Sequence, residues 1–113
     1  MGIFSGLQNK LQKTKLQIEI EAGNITTVKK LLKTNPSLVT ATYQNKYTAL
    51  HLAAHEGQKA IVKALISYGA DVHARAKYGD TPLDIAKKKK HLPVVIILEE
   101  KNNHPEKKQS EDE

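Results

Sequence analysis

Thr48-Ala49-Leu50-His51-Leu52-Ala53 returns 33 residues later as Thr81-Pro82-Leu83-Asp84-Ile85-Ala86. Ile61-Val62 with Leu65 returns at the same offset as Val94-Val95 with Leu98. Upstream, Gly57…Ile61-Val62-Lys63…Leu65-Ile66 matches Gly23…Thr27-Val28-Lys29…Leu31-Leu32 at an offset of 34, which also sets Thr14 and Leu16 opposite Thr48 and Leu50. A fixed period of this length marks an array of stacked units. It divides the chain into three, at 14–47, 48–80 and 81–102.

Each unit reads as two short helices. A threonine opens the first helix, its hydroxyl accepting from a free backbone N–H. Thr14 has Gln17 three residues on, as a capping box requires, and Thr81 has Asp84 there. Pro82 falls just inside a helix start, where its missing N–H costs nothing. Gly23 and Gly57 end the first helices in the left-handed conformation. The second helices carry Val28, Leu31, Leu32 and then Val62, Leu65, Ile66, one buried stripe each. Asn35-Pro36 and Gly69 stop them, and Pro93 sits at the start of the third. A pair of helices of about eight to ten residues does not persist alone, so each pair must bury its stripe on a neighbour.

The text Thr48-Ala49-Leu50-His51-Leu52-Ala53-Ala54-His55-Glu56-Gly57, then Ile61 to Ile66, then Gly69-Ala70-Asp71-Val72, resembles the ankyrin repeat. Gly79-Asp80-Thr81-Pro82-Leu83-Asp84-Ile85-Ala86 opens the next copy, and Asn35-Pro36-Ser37-Leu38-Val39 is similar to a variant of the Gly-Ala-Asp-Val turn. The resemblance implies an all-α fold, an ankyrin-repeat solenoid of stacked antiparallel helix pairs with β-turn fingers. The departures fall at the ends. Glu19 and Ile20 stand at the places of Ala53 and Ala54, and Lys87, Lys90 and Glu99 replace Ala54, Gly57 and Ile66 in the last unit, where a cap needs a polar outer face. Lys46 stands where the family has the glycine of its finger, so Asn45 or Lys46 must take a positive φ.

What the resemblance implies about function is protein binding on the concave face, by an adaptor or inhibitor. The matching finger positions are Tyr43, Gln44, Asn45 and Tyr47, then Lys77, Tyr78 and Asp80; the first-helix positions are His55, Glu56, Lys88 and Lys89. Tyrosine combines apolar area with a polar tip and recurs at binding hot spots; packing on a neighbouring finger is the alternative. The resemblance gives His51 a structural hydrogen bond between fingers and turns His55 to the groove. His51 and His55 have the spacing of a two-histidine metal site, but Leu52 stands where that motif needs glutamate, so no metal is expected.

The charge balance is +6 overall, with 18 basic and 12 acidic side chains. Residues 1–98 hold +9 and residues 99–113 hold −3. The run Lys87-Lys88-Lys89-Lys90 is either a solvated cap or an attractor for an acidic protein partner. Nucleic acid or an anionic membrane surface is a second reading, and a self-assembling structural subunit a third. A monomer is the expected state. Cysteine and tryptophan are absent, which excludes a disulfide framework and a thiolate metal site. No Ser/His/Asp grouping, phosphate-cradling glycine loop or carboxylate pair is readable, so neither an enzyme nor a cofactor is expected.

Residues 1–13 form a separate segment in which Ile3, Phe4, Leu7 and Leu11 suggest a short amphipathic helix, capping the first unit or docking on a partner, a second copy or a membrane. Its lysines interrupt any secretory pattern, and Gly6 stands where myristoylation wants Ser or Thr, so a cytoplasmic protein is expected. Ile96 aligns with Lys63 and Lys29 and should be exposed. Residues 103–113 are polar and acidic and are expected to be a disordered tail.

Overall fold

The computed structural model describes residues 2–103, with side chains from residue 10 to residue 102. Among the described residues six α-helices follow in order: α1 (Gly2–Ala22), α2 (Ile25–Thr34), α3 (Ala49–Glu56), α4 (Lys59–Ser67), α5 (Pro82–Lys89) and α6 (Leu92–Asn103), with short 3-10 turns at Pro36–Thr40 and Gln44–Lys46 between α2 and α3. Helices α1, α3 and α5 pack in one row, and α2, α4 and α6 in a second row behind them. Among the described residues there is no strand, only a bridge between Thr42 and Thr48. This is the all-α stack of helix pairs that the period predicts.

The core runs between the rows. Leu16, Ile20, Val28, Leu32, Leu50, Ile61, Leu65, Val94 and Leu98 are buried, and Ala49, Ala53, Ala54 and Ala86 between them let successive first helices approach closely. Full burial of such a side chain contributes about 1.5–3 kcal/mol, and the helices pack both within each unit and from one unit to the next. The stack thus stands or falls as a unit.

The predicted boundaries have physical causes. The Thr48 hydroxyl accepts from His51 N–H and the His51 ring from Thr48 N–H, a reciprocal cap; Thr81 and Asp84 do the same for α5. The Asp84 carboxylate is held below its ordinary pKa chiefly by the Thr81 backbone N–H. Gly23 (φ +75°) and Gly57 (φ +71°) end α1 and α3, and Lys90 ends α5 at φ +62°, a conformation that costs a side-chain-bearing residue about 1–2 kcal/mol.

One local expectation fails. Thr14 does not open the first helix but lies inside α1, which runs unbroken for 21 residues. The stretch from Leu7 to Ala22 contains neither glycine nor proline and is rich in lysine, glutamine and leucine, so nothing interrupts the helix at Thr14. The segment expected to be separate at 1–13 is therefore continuous in backbone with the first repeat helix. Of the acidic tail, only Asn103 is described, at the end of α6; residues 104–113 lie outside the described residues.

Candidate concave binding face

Two fingers project from the row of first helices. In the first, Tyr43 N–H donates to the Tyr47 carbonyl at 2.7 Å, and Asn45 (φ +58°) and Lys46 (φ +60°) both take the left-handed turn. The second closes with Ala76 N–H on the Asp80 carbonyl at 2.9 Å, around Gly79 at φ +88°. Lys77 N–H donates to the Asn45 carbonyl at 2.8 Å and ties the fingers tip to tip.

His51 ties them at the base. Its Nδ1 accepts from Thr48 N–H at 3.1 Å, which leaves the proton on Nε2, and Nε2–H donates to the Asp80 carbonyl at 2.9 Å. Burial pushes the His51 pKa down, against the pull of the Asp80 carbonyl and charge. His51 is thus a neutral structural link. No group of three His, Cys, Asp or Glu side chains placed to hold a metal exists among the described residues.

Six of the sequence-selected residues converge. Tyr43, Gln44, Asn45 and Tyr47 of the first finger and His55 and Glu56 of α3 line one open hollow, with Gln17, Glu21 and Leu52. Tyr43 forms its side wall: its hydroxyl donates to the Lys13 carbonyl at 3.1 Å, the Lys13 ammonium lies 5.0 Å from its ring centre, and burial raises its pKa. His55 Nδ1 lies 3.3 Å from Glu56 Oε2. Gln17 and Glu21 escaped the sequence reading, although the offset of 34 that aligns Thr14 with Thr48 also aligns them with His51 and His55.

The other five sit further along the stack. Tyr78 is 76% exposed at the tip of the second finger, with the Lys77 ammonium 5.5 Å from its ring centre. Lys88 Nζ lies 3.0 Å from Asp80 Oδ2, and that carboxylate raises the lysine's pKa. Lys89 is exposed on α5. Lys87 Nζ lies 3.5 Å from Glu99 Oε2, so two of the four lysines in the run have carboxylate partners. The face is electrically divided, with Glu21 and Glu56 at the hollow and Lys77, Lys88 and Lys89 beyond it.

Known proteins resemble this chain in the same terms. A family model for ankyrin repeats, in three copies, matches residues 15–109. Potassium channel KOR2 of rice is 38% identical over 76 residues, which is 67% of this chain and 10% of that protein. Ankyrin repeat domain-containing protein 49 of cattle is 44% identical over 54 residues, 48% of this chain and 23% of that protein. Human protein phosphatase 1 regulatory subunit 27 is 36% identical over 67 residues, 59% of this chain and 44% of that protein. The chain thus spans less than half the length of each of these relatives.

Proposed function

We infer that this chain, which belongs to the ankyrin-repeat family, acts as a small adaptor or inhibitor that grips one partner protein on its concave face. Ankyrin repeats are generally protein–protein interaction modules, and the observation that carries the reading here is the hollow. Six residues chosen from their repeat positions, four on the first finger and two on the helix that follows it, meet in it, and Tyr43 and Tyr47 give it aromatic walls. Tyrosine at the centre of a face, with charges at its rim, is the usual arrangement of a binding hot spot. The likeness to a protein named as a phosphatase regulatory subunit fits a regulatory role.

The division of charge supports a polarity for the partner. A segment lying along the face would set a basic or hydrogen-bond-donating group against Glu21 and Glu56, and an acidic group against Lys77 and Lys89. A polyanion is disfavoured by the pairing of Lys87 with Glu99 and of Lys88 with Asp80. The setting proposed is the cytoplasm.

The test is affinity capture from a cell extract, wild type against Tyr47→Ala/Tyr78→Ala. Loss of a single protein band supports the reading. Retention of every partner by the double variant refutes the face as the site. Capture of nucleic acid that is released by about a fourfold rise in salt would replace it with a polyanion binder.

A further inference from the structure

Three of the hydrogen-bond donors that line the hollow are turned on the protein itself. The Tyr43 hydroxyl donates to the Lys13 carbonyl at 3.1 Å. The Gln17 side-chain amide donates to Glu21 Oε2 at 3.3 Å, which leaves its carbonyl oxygen as an acceptor. Glu56 Oε2 lies 3.3 Å from His55 Nδ1. A carboxylate only accepts, so in the neutral ring the proton sits on Nδ1 and Nε2 holds a lone pair. What these walls leave over is acceptors: two carboxylates, an amide oxygen and an imidazole nitrogen. The remaining polar groups, on Gln44, Asn45 and Tyr47, each both donate and accept.

The two carboxylates also lack a full positive charge beside them. The chain has 18 basic side chains against 12 acidic ones, and Glu19, Asp80 and Glu99 each meet a lysine, at 3.6, 3.0 and 3.5 Å. Among the described residues Glu21 and Glu56 meet no lysine or arginine. The repeat register makes this a property of the first hollow. Glu21 stands at the place of His55 and Lys88, and Glu56 at the place of Lys89. The same helix positions therefore turn from acidic to basic along the stack. Tyr43 divides the charges once more. It also lines the adjoining depression with Lys10 and Lys13, so one ring stands between a basic hollow and an acidic one.

We propose that the hollow takes the guanidinium of an arginine side chain on the partner protein, an inference that rests on the concave face being the binding site. A guanidinium presents five N–H donors in one plane and accepts nothing, so it answers a wall of acceptors contributed by α1 and α3 together. Its flat face stacks on aromatic rings and it is weakly hydrated, which suits two tyrosines in a hollow open to solvent. The Tyr43 ring already holds one cation, the Lys13 ammonium 5.0 Å from its centre. A lysine from the partner would bring three donors on a compact, strongly hydrated point charge and would fill fewer of these acceptors. The hollow, at about 250 Å³, is smaller than the roughly 300–1,000 Å³ of a pocket for a drug-sized molecule, the scale of one long side chain. With the arginine seated, an acidic group further along the same segment would meet Lys77 and Lys89.

The test selects a displayed library of random linear peptides on the full chain and measures the selected peptides by titration calorimetry. They should share one arginine. Changing it to citrulline, which keeps the shape and removes the charge, or to lysine should weaken binding about tenfold. Glu21→Gln/Glu56→Gln should weaken the arginine peptide as much, with unchanged helical circular dichroism. The citrulline and double-variant losses should not add, because both remove one contact, and amide shifts on titration should centre on Glu21, Tyr43, Tyr47 and Glu56. Peptides that lose affinity for Tyr47→Ala/Tyr78→Ala but share no arginine, or that bind equally well with citrulline or lysine, overturn the arginine and leave the concave face standing. Additive losses put the arginine elsewhere on the protein and overturn it too. Peptides indifferent to both double variants, or a library that yields none, overturn the arginine and the face together.

Discussion

The Nε2 nitrogen of His91 lies 3.0 Å from the backbone carbonyl of His55, and the His91 ring covers the bare Cα of Gly57. A Cβ added at Gly57 would meet the His91 ring at 2.7 Å, and one added at Gly23 would meet the Gln58 amide at 2.9 Å. The same joint is thus made twice: the residue after one first helix lies on the glycine that ends the helix before it. His51 joins the fingers and His91 the opposite loops, so each unit is pinned to the next on both sides of the helices.

Gly57→Ala should therefore cost more than its backbone strain. The left-handed conformation alone costs about 1–2 kcal/mol, and displacing His91 breaks its bond to His55. We expect a total loss of about 2–3 kcal/mol, read as a fall in Tm. Gly69→Ala, at φ +96° with open space around it, carries strain only and should cost about 1 kcal/mol. Equal losses at the two glycines would refute the joint.

Lys90→Gly should do the reverse. Lys90 stands at the place of Gly57 and holds φ +62°, while its side chain is exposed. Relief of strain should outweigh the added freedom of the unfolded chain, raising stability by about 0.5–1 kcal/mol in urea unfolding. A lower midpoint would show that the lysine side chain makes a contact that matters.

Much of this fold is legible in the sequence because stacking repeats one local problem. The threonine caps, the left-handed glycines and the apolar stripes of α2 and α4 each have a single chemical solution, and each recurs at its offset. The helix N-terminal to Thr14 is misread for the opposite reason. A threonine with glutamine three residues on caps a helix only if the chain before it stops being helical, and Leu7 to Lys13 supply no residue that stops it. The hollow is half legible: Tyr43, Tyr47 and His55 are read from their repeat positions, whereas Glu21 belongs to the unit whose departures draw attention elsewhere. The His91–His55 bond has no signal at all, since a histidine replaces Gln58 in its register and neither residue type announces a partner.

Stability should fall in mild acid through His51. Burial sets its folded pKa below the ordinary histidine value of about 6.5, so the unfolded chain takes up the proton first. The contribution is complete above that value and is lost as pH drops through the folded one. Protonation of Nδ1 also turns the acceptor of Thr48 N–H into a donor facing it. Urea midpoints measured from pH 7.5 to 5 should decline in the wild type, and the part of that decline due to His51 should vanish in His51→Gln, which starts lower. Parallel curves for the two proteins would rule out His51 as the titrating group.

Tyr43 and Tyr78 should separate packing from recognition. The Tyr43 hydroxyl donates to the Lys13 carbonyl from a half-buried position, so Tyr43→Phe leaves that carbonyl short of a donor and should cost about 1 kcal/mol. Because the bond reaches across 30 residues to α1, the loss should appear as faster amide exchange around Lys13 as well as in the midpoint. Tyr78 is 76% exposed, with the Lys77 ammonium 5.5 Å from its ring centre, and Tyr78→Ala should leave stability within about 0.5 kcal/mol of wild type while weakening partner capture. A destabilised Tyr78→Ala would place that ring in the architecture of the fingers and remove it from the binding face.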